Sequence, residues 1–210
     1  MTIAELLKTA KPILFKTEMV QAIMRGDKTQ TRRIKKSDKP KYQVGDILYV
    51  RETWRETGVV SRPYEYRADG DSIVLFGEDG KSIKVTYRWR PSIFMPKDAA
   101  RNFLEVTALR EEKIQNISHN DIFTEGIKKT HITESSEGIA QEYFAGLWNS
   151  INAKPKAVYK RIRGTKVIDH YVSYPWEDIQ ETRTYRGKDW YVCGNPEVWV
   201  YGIEKKEVAQ

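Results

Sequence analysis

Val44-Gly45-Asp46-Ile47-Leu48-Tyr49-Val50-Arg51-Glu52-Thr53-Trp54 is the stretch that decides the fold. Val44-Gly45-Asp46 reads as a turn feeding a strand over residues 47–52. Successive side chains of a strand point to opposite faces, so 47, 49 and 51 face one way and 48, 50 and 52 the other, which predicts a half-buried strand. Comparable runs follow it. Residues 64–67 and 82–89 read as strands set apart by turn signals at Asp69-Gly70-Asp71 and Glu78-Asp79-Gly80-Lys81. Residues 102–109 alternate as a core strand, and 196–204 carry the aromatic and β-branched content of a closing strand.

Helices interrupt the strands. Met19, Val20, Ile23 and Met24 share one face of a short helix, with Thr17 as N-cap and Gly26 stopping it in the left-handed conformation. Ser118, with Asp121 three residues on, predicts a capping box for a helix over 120–126. Ile139, Tyr143, Phe144, Leu147, Trp148 and Ile151 predict the apolar stripe of another. Short strands with tight turns and intervening helices imply an α+β fold, a small mixed β-barrel with flanking helices rather than a layered parallel sheet.

The 210 residues, 40% hydrophobic, suffice for one core. The expected organisation is a single domain over 1–210 with insertions at about 57–84 and 154–192. No apolar run approaches the roughly 18 residues of a membrane span, and no secretory leader is seen, so a soluble, cytoplasmic protein is expected. Cys193 is the single cysteine, permits no internal disulfide and reads as a small buried hydrophobe. His119, His131 and His170 lack metal-ligand spacing, so neither metal nor cofactor is expected.

The formal charge is +7, but it is unevenly placed. Residues 25–41 hold eight basic and two acidic side chains, and 154–166 hold six basic and none acidic, so each block is +6 and the remainder is −5. Two basic patches on an acidic body point to a polyanionic partner. Arg32, Arg33 and Arg163 are the better phosphate candidates, because a planar guanidinium pairs bidentately where an ammonium cannot. Residues 154–192 combine the second block with Tyr159, Tyr171, Tyr174, Trp176, Tyr185 and Trp190 and read as a partly ordered arm. Its rings either stack on bases or pack the arm onto the barrel.

Several segments together resemble the ASCH-domain family, a branch of the PUA-like β-barrel superfamily. Gly26-Asp27-Lys28-Thr29-Gln30-Thr31-Arg32-Arg33 resembles its G-x-K-T-x-T-x-R element, and residues 45–54 its G-D-x-L-x-V-R-E-T-W strand. Residues 91–96, 103–106, Asn195-Pro196 and Val198-Trp199-Val200 resemble later elements of the larger phage and prophage members. The likeness covers roughly 12–152 and 190–204. Phe94 stands where His is expected, Glu197 where Trp is expected, and 154–189 is longer than usual.

The resemblance implies a nucleoside- or nucleic-acid-directed protein. In the family's amidohydrolases acting on N4-acetylcytidine, the Lys, Thr and Glu of the site correspond here to Lys28, Thr31 and Glu125. Amide hydrolysis needs a nucleophile, a proton carrier and charge stabilisation at the carbonyl oxygen. Thr31 supplies a hydroxyl, and Lys28 activates it once its pKa falls from about 10.4, as Arg32 and Arg33 nearby or partial burial would favour. Glu125 relays the proton, or else pairs with Lys28 and keeps it charged. The alternative is a non-catalytic nucleotide- or RNA-binding module, with Lys28, Arg32, Arg33 and Arg51 on phosphate and Trp54 or Tyr66 stacking on a base. RNA cleavage in the same cleft and binding of a host protein are further alternatives.

Overall fold

The computed structural model describes residues 2–57, 60–70, 75–76, 82–83, 88–127 and 137–207. Along the chain run α1 (Ile3–Thr9), β1 (Lys11–Leu14), α2 (Thr17–Arg25), β2 (Gln30–Ile34), β3 (Ile47–Arg51), β4 (Trp54–Glu56), β5 (Tyr64–Tyr66), β6 (Leu75–Phe76), β7 (Ser82–Ile83), β8 (Phe103–Lys113), α3 (His119–Thr124), α4 (Glu137–Asn152), β9 (Lys156–Ile162), β10 (Thr165–Ser173), β11 (Gln180–Tyr185), β12 (Lys188–Cys193) and β13 (Glu197–Lys206). The mixture is α+β, as expected. Contacts cluster in two units: Met1–Thr29, Tyr42–Thr107 and Ile203–Gln210 form the first, Gln30–Lys41 and Ala108–Gly202 the second. No closed ring of strands is seen among the described residues.

In the first unit β3 pairs in parallel with β1, Leu48 beside Lys11, and antiparallel with the start of β8, Leu48 beside Leu104. Both faces of β3 are covered, not one as expected. Tyr49 packs with Leu6, Ala10, Trp54, Met95 and Phe103, while Leu48 and Val50 on the opposite face are fully buried. Parallel pairing is characteristic of strands shielded on both sides. Gly26 ends α2 at φ 82, as the sequence predicts. Thr17, however, is already helical. Lys16 occupies the cap position in extended conformation and supplies no side-chain bond. Residues 64–66 form β5, paired with β4, and a tight 3-10 turn follows at Arg67–Asp69. The expected strand 82–89 is seen only at Ser82–Ile83. Residues 84–87, Asp71 and the predicted turn 78–81 lie outside the described residues.

In the second unit the end of β13 closer to Glu197 pairs antiparallel with β2. Val198 and Val200 join Ile114, Ile117, Ile122, Ala140, Phe144 and Trp148 in the core. The buried face of α4 is therefore Ala140, Phe144 and Trp148, with Leu147 partly covered. Ile139, Tyr143 and Ile151 of the predicted stripe are exposed. A helix turns 100° per residue, and the tight spacing of 140, 144 and 148 selects a face that small Ala140 lets approach the core. The expected partly ordered arm is an ordered four-stranded sheet, β11-β12-β10-β9. Trp176 explains part of this order. Its backbone N–H donates to Asn149 of α4 at 2.7 Å, and its ring meets Phe144 edge-on.

Candidate functional site

Strand β2 carries Thr31 and Arg32 opposite Tyr201 and Val200, and both β2 residues are buried. Burial of a guanidinium demands anionic partners, and three carboxylates provide them. Arg32 Nε donates to Glu112 at 2.7 Å, Nη2 to Asp121 at 2.7 Å, and Nη1 to Glu125 at 3.1 Å. Two of these carboxylates come from one helical segment. Ser118 caps α3 by accepting the Asp121 N–H at 3.2 Å, and Glu125 lies four residues beyond Asp121, one turn further along the same face. Only this Ser118 half of the predicted capping box is seen. The Asp121 carboxylate turns away to Arg32, to Arg110 at 2.6 Å and to Gln30 at 3.1 Å.

Arg110 also reaches Glu112 at 3.2 Å, so two guanidiniums and three carboxylates form one network of formal charge −1. Burial works against the Arg32 charge. The carboxylates of Glu125 and Glu112 outweigh it and raise the Arg32 pKa above its ordinary value. Arg32 is held as a permanent cation on which the acids of α3 and β8 converge. The Arg32 side chain is 1% exposed, so contact with a phosphate would require the side chains around it to move.

In the first unit Lys28 follows the Gly26 cap, and its backbone N–H donates to Ala22 at 3.2 Å. Its side chain is buried, with Nζ 5.5 Å from the centre of the Phe15 ring. Lysine is among the residues least often buried. Arg51 donates to the carbonyls of Met95, at 3.1 Å, and Ile93. Trp54 is a core residue: Tyr64 meets its ring edge-on at 5.7 Å and the Arg90 guanidinium lies 5.2 Å from its centre. Tyr66 donates to the Ala99 carbonyl at 2.7 Å, with the Arg101 guanidinium 3.9 Å from its ring centre. An arginine thus covers one face of each ring. Arg33 sits beside Trp199 across β2 and β13. Arg163 is exposed at the tip between β9 and β10.

Two groups of polar residues stand beyond those nominated from the sequence. Glu112, Asp121, Arg110 and Gln30 complete the network around Arg32, and Glu52 of the first unit is almost fully buried against Arg101, with 3.0 Å to both Nε and Nη2. The four-residue spacing of Asp121 and Glu125 behind a serine cap was a readable signal for the former. Among the described residues, no group of three or more His, Cys, Asp or Glu is arranged to hold a metal ion. No helix among them is long and apolar enough to cross a membrane.

No family model matches the chain, and no curated protein matches it. Among solved structures, the chain is similar to the ASCH domain from Lactobacillus crispatus JV V101, with 11% identity and a TM-score of 0.36 over 97% of this chain and 91% of that one.

Proposed function

We propose that the protein is directed at nucleosides or nucleic acid and removes an acyl group from N4-acylated cytidine without a metal. In this reading Thr31 Oγ1 attacks the acyl carbonyl carbon while Lys28 takes the hydroxyl proton. The bond to N4 then breaks as N4 gains a proton relayed through Glu125, and water releases the acyl group from Thr31. The observation that supports this is burial. Lys28, Thr31 and Glu125, nominated from the sequence motif and its predicted helix, are all withdrawn from solvent, at 4%, 3% and 7% exposure. Two of them are ionisable residues that ordinarily stay in water, and burial of such groups is more frequent at functional sites than elsewhere.

The test is incubation of purified protein with N4-acetylcytidine in EDTA, with cytidine and acetate followed by chromatography. Appearance of both supports the reading, and a reaction that EDTA abolishes contradicts the metal-independent mechanism. Non-catalytic RNA binding is the second reading, favoured by exposed arginines on the β9–β12 sheet. A host protein as partner would instead co-purify at fixed stoichiometry.

A further inference from the structure

The β9–β12 sheet has two chemically different faces. Register places Arg161 beside Lys166, Tyr159 beside Ile168, and Tyr171 beside Trp190. Across β11 and β12, Arg183 lies beside Trp190 and Tyr185 beside Lys188. Paired residues share a face, so one face collects Tyr159, Tyr185 and Trp190 with Arg161, Lys166, Arg183 and Lys188. The side-chain contacts agree. Lys166 Nζ lies 4.2 Å from the Tyr159 ring centre, the Arg183 guanidinium 5.3 Å from Trp190, and Tyr185 stands edge-on to Tyr171 at 4.9 Å. Glu181 is the carboxylate on this face and pairs with Arg183. The other face carries His170 against Tyr191, with Lys160 neutralised by Asp169 at 2.6 Å.

A second, backbone observation points to the same end of the sheet. β10 and β12 are parallel, so the hairpin turns entering them lie at one end. Each turn holds an arginine at positive φ, Arg163 at 49° and Arg186 at 51°. Asn or Gly normally takes that position in a two-residue hairpin, because other side chains are strained there. Both turns nevertheless carry guanidiniums, and both arginines are exposed.

We propose that this face and its arginine-tipped edge bind single-stranded nucleic acid, with bases stacking on Tyr159 and Trp190 and the backbone following the cations. A sheet face of partly exposed rings, Tyr159 being 50% exposed and Tyr185 and Trp190 less so, interleaved with basic side chains suits a strand whose bases are unstacked. A duplex offers its phosphates but not its base faces, so it fits poorly. The surface shares with the proposed hydrolysis only the class of partner, and its occupancy does not depend on turnover.

Anisotropy of a fluorescein-labelled oligouridylate of about 12 nucleotides tests it on the full chain. Binding is expected to weaken steeply with salt. Tyr159→Ala weakens it about tenfold, while Tyr159→Phe, which keeps the ring, binds like the parent. Arg161→Glu with Lys166→Glu abolishes it, and Lys8→Glu on α1, a single charge reversal outside this sheet, leaves it within about twofold. An oligothymidylate of equal length binding comparably supports a stacking platform. Unchanged affinity in the folded Arg161→Glu/Lys166→Glu variant, a salt-independent affinity, or equal affinity for a duplex overturns the proposal. Absence of N4-acetylcytidine hydrolysis alongside intact oligouridylate binding would remove the proposed activity and leave this surface standing.

Discussion

Arg32 Nη1 lies 3.1 Å from Glu125 Oε1, and the Arg32 side chain is 1% exposed. The carboxylate nominated as a proton carrier thus shares its cation with Glu112 and Asp121. The bond fixes where the Glu125 carboxylate sits, so the residue is positioned as well as buried.

Arg32→Met leaves three carboxylates facing one another without their common cation. Removing one partner from a buried ionic group costs roughly 3–5 kcal/mol. Urea unfolding should show a midpoint lowered accordingly, and a loss below about 1 kcal/mol would mean that solvent reaches the network.

Tyr66 gives a pH signature in the first unit. Burial, opposed by Arg101 and reinforced by Glu52, pushes its phenol up to about 12. Its folded pKa exceeds the unfolded value near 10, so between these the folded state holds the proton that the unfolded state has lost. Stability should therefore fall as pH rises from 10 to 12. Tyr66→Phe removes this component, and identical pH–stability curves for parent and variant in that window would contradict it.

Two glycines of the second unit predict opposite outcomes. A Cβ on Gly194 would meet the backbone of Glu177 and lie 2.5 Å from the Ile179 nitrogen, so Gly194→Ala should destabilise by about 1–3 kcal/mol. A Cβ on Gly146, exposed on α4, meets nothing within 4 Å. Gly146→Ala should stabilise by about 0.5–1 kcal/mol through helix propensity. Thermal melts of the pair check both signs.

Local patterns in the sequence located the strand at 47–51, the first part of the strand at 103–113 through the run 102–109, the closing strand and the glycine stop of α2. These depend on alternation and on turn chemistry within a few residues. The burial of β3 on both faces and the choice of Ala140, Phe144 and Trp148 as the inner face of α4 depend on partners remote in the chain. The Arg32 network was legible only in part. Glu125 and Arg32 were nominated separately, for catalysis and for phosphate, whereas their pairing and the contribution of Glu112 arise from contacts 93 and 80 residues apart in sequence. The sheet of residues 156–193 was obscured because its basic side chains resemble those of an unpacked tail. Trp176, whose backbone N–H donates to Asn149, and the Trp190 ring, which contacts Tyr185, fix it instead.

The most direct measurement is the turnover of N4-acetylcytidine by the parent and by Lys28→Ala, Thr31→Ala and Glu125→Gln, with the unfolding midpoint of each recorded beside its rate. The account predicts cytidine release by the parent and a fall of about 10²–10⁴-fold in kcat for each variant that remains folded. No release by the parent, or undiminished release by Lys28→Ala, would contradict it.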